Sequence, residues 1–236
     1  MTEFFRFPHT PHIAWLASGK PRDDKVLSPT EASEFLADEV VVEEKLDGAN
    51  LGFSVSADGQ LHAQNRGQYL QAPFHGQFAK LKPWLSIHEE RMFDALGTNL
   101  MAFGEWCAAR HSLDYISLPD WWLLFDIYDR SEGRFWSTVR RNAWAKTNGF
   151  LTVPLLHSGK TTLIQLKNDL LNHPSCFRSD YLEGLVIRKE DPSWLQYRAK
   201  LVRADFTQVM DSHWRSRPLE WNQLTTQFGR ASLTDS

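Results

Sequence analysis

Residues 40–55, VVVEEKLDGANLGFSV, constrain the fold more than any other stretch of the chain. Three consecutive valines predict a strand, because β-branched side chains are stiff at χ1 and pack well on a pleated surface. The strand ends in Lys45, and Asp47, Gly48 and Asn50 follow at once. A second run then alternates Leu51, Phe53 and Val55 with Gly52, Ser54 and Ser56, and Asp58-Gly59 supplies the two-residue turn that folds it back onto residues 61–66. The whole reads as a meandering antiparallel sheet that delivers a lysine to one strand end. A lysine there ordinarily points to water. Gly48, just past it, permits a close backbone approach or a positive φ.

The remaining elements follow from periodicity and punctuation. Residues 31–36 predict a short helix started by Pro29 and Thr30, and residues 74–96 a mostly helical stretch interrupted at Pro83 and stopped by Gly97. Residues 100–106 and 121–128 are apolar enough to be sheet interior. Ser137 caps a predicted helix that runs to about Asn148 and stops at Gly149, while Leu163, Leu166 and Leu170 mark the buried stripe of another. Two late strands, 184–189 and 195–202, are separated by Asp191-Pro192. A helical segment carrying Phe206, Val209 and Trp214 follows, and 225–236 reads as a frayed tail. Antiparallel strands with helices inserted between them make an α+β fold.

Composition narrows the function classes. The 236 residues, 42% hydrophobic and 13% aromatic, suffice for a packed core. Against 29 Asp and Glu stand 26 Lys and Arg, and a net charge of −3 excludes broad attraction to a polyanion. Contact with nucleic acid would then depend on local basic clusters: Lys80 and Lys82, Arg134 with Arg140 and Arg141, Arg188 with Lys189, Arg203, and Arg215 with Arg217. The two cysteines, Cys107 and Cys176, support neither a disulfide framework nor a zinc site, and the Cys107–His111 spacing offers only two ligands. Apolar runs fall far short of the roughly 20 residues that span a bilayer, and the start has no signal-peptide pattern, so no membrane association and a cytoplasmic location are expected.

VPLLHSGKTT, 153–162, imitates the back half of a phosphate loop. Pro154 stands where G-x4-G-K-[ST] needs glycine, and proline has no N–H to offer a phosphate. Residues 158–162 read instead as the start of a helix.

The order of short motifs points to a chemistry. EKLDGAN is followed by NRG at 65–67, FGEW at 103–106, LFDIY at 124–128, EGLVIRK at 183–189 and YRAKLVR at 197–203. This series resembles the covalent nucleotidyltransferase superfamily of ATP-dependent DNA ligases, RNA ligases and mRNA capping enzymes. KLDGAN, with Asn50 five residues after the lysine, is most similar to nick-joining RNA ligases of the phage RNA ligase 2 type. The resemblance spans 43–203 and implies an antiparallel-sheet, ATP-grasp-like adenylation fold.

The residues suit that chemistry on their own terms. A lysine amine can attack the α-phosphorus of a nucleoside triphosphate and form a phosphoramidate, if it is neutral and in line with the departing pyrophosphate. Free lysine has a pKa near 10.4, so the expectation for Lys45 is a lowered value, produced by burial, a metal ion and the cations Arg198 and Lys200. By the resemblance, Glu105 would bind the ribose hydroxyls, Phe125 would stack on the adenine, and Arg66 would face the phosphates. Glu183 would bind the catalytic Mg²⁺ or Mn²⁺, and Asn50 would orient a metal-bound water. Lys200 and Arg198 would neutralise the α-phosphate and the leaving pyrophosphate. The family pattern commonly has two lysines in that last motif, and Arg198 replaces the first. Gly48 would lie against the nucleotide, and Asp47 would touch it or brace the glycine turn. His9, His12, Trp15 and the Asp23-Asp24-Lys25 run would roof the pocket or close the edge of the sheet.

The implied function is ATP-dependent joining of polynucleotide 5′-phosphate and 3′-hydroxyl ends, RNA before DNA, through a lysyl-AMP intermediate. A GTP-dependent capping-type guanylyltransferase and a catalytically silent nucleotide- or RNA-binding module are the alternatives. The expected organisation is one nucleotidyltransferase domain over 1–236, with an extension at 1–38, a helical segment and tail at 204–236 and no OB domain. Either strand affinity would then be weak and salt-sensitive, or a partner domain or protein would supply the clamp around the strands.

Overall fold

The valine run and the alternating run that follows it do not share a sheet. In the computed structural model, which describes residues 4–19, 25–209 and 218–225, β1 (Val40–Lys45) is an inner strand of one sheet and β2 (Ala49–Val55) of another. The predicted single meander is therefore corrected: three residues, 46–48, carry the chain across. What did hold is the hairpin, for β2 pairs antiparallel with β3 (Leu61–Gln64) and Gly59 takes φ +77° in the turn between them.

The first sheet also contains β7 (Leu155–Gly159), β8 (Gly184–Glu190) and β9 (Leu195–Val202), in the order β7-β1-β8-β9. The second contains β4 (Leu100–Trp106), β5 (Trp122–Asp129) and β6 (Arg134–Phe135), in the order β3-β2-β4-β5-β6. Pairing between named strands is antiparallel throughout. Successive side chains alternate faces, so each sheet has an inner face toward its partner and an outer face under helices.

Those outer faces hold most of the core. Val40, Val42, Leu185, Ile187, Ala199 and Leu201 pack with α1 (Pro29–Phe35) and α4 (Leu163–Asn172), whose Leu166 and Leu170 are fully buried. Leu51, Phe53, Trp106, Trp122 and Leu124 pack under α2 (Leu81–Leu96) through Leu81, Trp84 and Met92. The helix starts at Leu81, so Pro83 sits in its first turn, where an N–H would have no intrahelical acceptor; the expected interruption does not occur. Ser28 caps α1 reciprocally with Glu31, and Ser137 caps α3 (Thr138–Thr147). Ser158 and Gly159 belong to β7 rather than to a helix start, and Thr162 alone is the N-cap of α4. After β9 comes α5 (Ala204–Val209). Asp23, Asp24, Trp214, Arg215, Arg217 and 226–236 lie outside the described residues.

Between the inner faces runs a fully paired set of buried charges. Arg141 donates to both carboxylate oxygens of Glu43, at 2.5 and 3.2 Å. Arg188 reaches Asp126 at 2.8 Å and Glu190 at 2.6 Å, and Arg198 closes the chain onto Asp126. Two of the predicted basic clusters are thereby corrected: Arg141 and Arg188 are core residues, not a surface for polyanions, because three carboxylates come with them. Their neighbours are separate from them, Arg140 lying 3.9 Å over the Trp136 ring and Lys189 paired with Asp38 at 2.6 Å.

Removing one partner of a buried pair strands the other charge, whereas a half-exposed pair contributes little. Arg141→Ala is expected to lower unfolding free energy by about 3–5 kcal/mol in urea titrations, and Lys189→Ala by less than about 1 kcal/mol.

Candidate active site

The three crossing residues place the chemistry. Leu46 is buried. Asp47 accepts from the backbone N–H groups of Ser112 and Leu113 at 2.7 and 2.8 Å, and its own N–H donates to the Tyr115 hydroxyl at 2.8 Å. Gly48 donates its N–H to Glu105 Oε1 at 3.0 Å. A Cβ on Gly48 would lie 2.5 Å from the Trp106 carbonyl oxygen, so only glycine passes this close to β4. The glycine thus serves strand-to-strand approach; its φ is not in the left-handed region.

The cavity between the sheets measures about 460 Å³. Lys45, Gly48, Asn50, Arg66, Glu105, Phe125, Arg198 and Lys200 all line it, so eight of the ten predicted site residues share one wall system. Asp47 does not line it, consistent with its hydrogen bonds to the 112–113 backbone. Glu183 does not either, yet it touches the lysine: Lys45 Nζ donates to both Glu183 carboxylate oxygens at 2.7 Å, with side chains 25% and 3% exposed. Gly184 makes room for this pair. It faces Lys45 in the β1–β8 register, and a Cβ there would lie 2.7 Å from the Leu201 carbonyl and 3.3 Å from Lys45 Cδ.

Electrostatically the lysine is outnumbered. Burial pulls its pKa down, but Glu183, Glu105 and Asp47 together outweigh burial and hold it above the ordinary value. The expectation of a lowered pKa is corrected for the ligand-free chain: carboxylates, not Arg198 and Lys200, set the field at this amine. Desolvation pushes both Glu105 and Glu183 up to about 7 despite Lys45. Arg198 is drawn down to about 10, chiefly by burial, with Asp126 opposing. Its guanidinium is held by Asp126 and lies 4.3 Å over the Phe7 ring.

A divalent cation would find few protein ligands. Among the described residues, no group of three or more His, Cys, Asp or Glu is arranged to hold a metal ion. Asn50 Oδ1, however, is buried without a hydrogen-bond partner in the cavity wall, on the residue that faces Glu105 in the β2–β4 register. This oxygen-only donor set fits a hard cation that keeps waters and brings phosphate oxygens with it. Cys107 is fully buried and His111 meets Gln77 at 2.8 Å, so the C-x3-H spacing is ordinary packing.

Several contributors have little sequence signal. Tyr115, which orients the Lys45–Gly48 turn, sits in a loop without motif character. Asn222 holds that loop, accepting from Tyr115 N–H and donating to the Cys107 and Ala109 carbonyls. Phe7 and Thr10 line the cavity from the proline-rich start. Close by, Pro11 and Ile13 exchange backbone bonds with Lys200, so the N-terminal stretch both closes the β9 edge and walls the cavity.

Comparison with known proteins agrees with this architecture. Naegleria gruberi RNA ligase with pyrophosphate superposes with a TM-score of 0.60 at 20% identity, covering 75% of this chain and 53% of that one. A variant of that enzyme with ATP and manganese gives 0.57 at 19%, covering 76% and 54%. At such identities the likeness is one of fold, and the chain spans about half the length of these solved relatives. No curated protein matches. The RNA ligase family model matches residues 38–202, well over half of the sequence, and the chain belongs to that family. Among the described residues no helix is long and apolar enough to cross a membrane.

The two raised carboxylates link the site to stability. Ordinarily near 4.5 when unfolded and about 7 when folded, they make the native state bind more protons between those values. Stability from this source is therefore lost as pH rises through that window. Glu105→Gln keeps an acceptor for the Gly48 N–H and is expected to flatten that fall, gaining on the order of 1 kcal/mol at pH 8 by urea unfolding at a series of pH values.

Proposed function

We propose that the chain is an ATP-dependent RNA ligase that joins 5′-phosphate and 3′-hydroxyl ends through AMP carried on Lys45. The observation that carries this reading is the amine of Lys45 at the wall of the cavity, gripped by Glu183 and flanked by Glu105, Asn50 and Lys200. Pure binding gives no reason to hold an amine against a buried carboxylate whose pKa burial has raised.

In the first step the Lys45 ammonium gives a proton to water, its nitrogen bonds to the α-phosphorus of ATP and gives up a second proton to water as the P–N bond forms, and the bond from that phosphorus to the α–β bridging oxygen breaks, releasing pyrophosphate. Loss of the proton requires the Lys45–Glu183 pair to open, which fits a resting state protected against stray reaction. Lys200, facing the cavity from β9, would stabilise charge on the α-phosphate, with Arg66 at the exposed mouth toward the outer phosphates. Phe125 offers its ring to the adenine and Glu105 its carboxylate to the ribose hydroxyls. Mg²⁺ or Mn²⁺, bound with the triphosphate near Asn50 and Glu183, would neutralise phosphate charge and favour the neutral amine. The AMP then passes to a 5′-phosphate, and a 3′-hydroxyl displaces it to seal the strand. A clamp around the strands would come from a further domain or a partner protein.

Incubation with α-labelled ATP and Mg²⁺ is expected to leave label on the denatured protein, with Lys45→Ala abolishing it. Label from GTP alone would favour a capping-type guanylyltransferase, and no label from either nucleotide a silent binding module. In the same assay, Lys200→Ala should reduce the labelling rate by about 10²–10³-fold, the scale on which removal of one charge-stabilising donor acts.

A further inference from the structure

The N-terminal segment ahead of the family-matched residues crosses from one sheet to the other. On one side the Phe5 carbonyl accepts from Gln64 Nε2 at 2.8 Å, at the end of β3. On the other, Lys200 N–H donates to the Pro11 carbonyl at 2.8 Å, and Ile13 N–H returns to Lys200 at 2.9 Å. Phe7 lies between these anchors, 4% exposed, on the cavity wall. Its ring stands edge-on to Phe125 at 5.4 Å and 68°, and it carries the Arg198 guanidinium 4.3 Å from its centroid. Phe103 and Phe135 pack around it at 5.0 and 5.6 Å.

We infer that Phe7 is a positioning residue of the nucleotide site, setting the plane of the Phe125 ring for the nucleobase and holding Arg198 along the same wall. This rests on the nucleotide-transfer reading above. Phe125 is half-buried, with part of its ring on the cavity wall, and stacking on a base requires one ring plane; an edge-to-face partner helps to select that plane through the aromatic quadrupole. The face of Phe7 meanwhile attracts the Arg198 cation. Two cavity residues from different sheets thus share one ring that is itself tied to both sheets, with Phe135 giving Arg198 a second aromatic neighbour at 4.5 Å.

The test is steady-state exchange of labelled pyrophosphate into ATP, which turns the lysyl-AMP step over in both directions, on the full chain. Phe7→Leu keeps apolar volume and removes both ring contacts. It is expected to raise KM for ATP about tenfold while kcat changes less than about threefold, the sum of one aromatic pair and one cation–π contact. In a Phe125→Ala background the same change should raise KM by no more than about threefold, because the partner ring is already gone. Should Phe7→Leu fail to fold by thermal melting, Phe7→Met is read in its place. An unchanged KM, or factors that simply multiply in the double variant, would overturn the inference while the ligase reading stands. Absence of exchange by the wild-type chain overturns both.

Discussion

The site depends on a change of sheet made within three residues. Leu46, Asp47 and Gly48 take the chain from the end of β1 to the start of β2, and both strands must enter at fixed height for Lys45 and Asn50 to face one cavity. A loop this short is specified by what surrounds it. Asp47 turns a loop carboxylate into an acceptor for two buried N–H groups, and Tyr115 takes the N–H that the turn would otherwise leave unpaired. Gly48 passes under the Trp106 carbonyl where a methyl group would not fit. Asn222 then fixes the 107–115 stretch that holds Asp47. The position of the lysine is thus set by residues as distant in sequence as 222.

Charge is distributed unevenly along the cavity, and the unevenness has meaning. Deep between the sheets, Arg141, Arg188 and Arg198 meet Glu43, Asp126 and Glu190 one for one. Such a network is costly to assemble from water and adds little net stability, but it tolerates few alternative arrangements of the two sheets. Around Lys45 the balance fails: Glu183, Glu105 and Asp47 face one cation, and two of these carboxylates are driven to about 7. A polyanionic nucleotide would meet repulsion there unless cations arrive with it. Lys200 and Arg66 supply two on the reading proposed above, and the unpaired Asn50 oxygen is suited to a third, metallic one.

Much of this was legible in the sequence because the relevant signals are local. Strand β4 matches its predicted span of 100–106, an apolar run, and β9 its span of 195–202, which follows the turn signal Asp191-Pro192. The motif residues that line the cavity were found through the order of short motifs and its resemblance to the nucleotidyltransferases; strand periodicity alone would not have singled them out. Three kinds of information were out of reach. Whether Val40–Lys45 and Ala49–Val55 pair or part is decided by their other neighbours, β8 and β4, which lie far along the chain. Basic residues were read as surface because their carboxylate partners are non-local, as with Arg141 and Glu43, 98 positions apart. The field at Lys45 had the same difficulty: Arg198 and Lys200 were counted as its neighbours, while the carboxylate that touches it comes from Glu183, on the approach to β8.

Strand register gives the departure from two lysines in the last motif a physical sense. Across β1, β8 and β9 the aligned rows are Lys45–Gly184–Val202, Glu43–Val186–Lys200 and Val41–Arg188–Arg198. Successive rows on one face are about 7 Å apart. Lys200 therefore stands one row from Lys45, within reach of a phosphate held there, while Arg198 stands two rows away, beside Asp126 and Arg188. At that depth a long-stemmed ammonium would have to satisfy three donors among fixed partners, whereas a guanidinium can bind a carboxylate and stand over the Phe7 ring at once. The arginine suits the floor on which it stands, and the lysine two residues later suits the reaction proposed for Lys45.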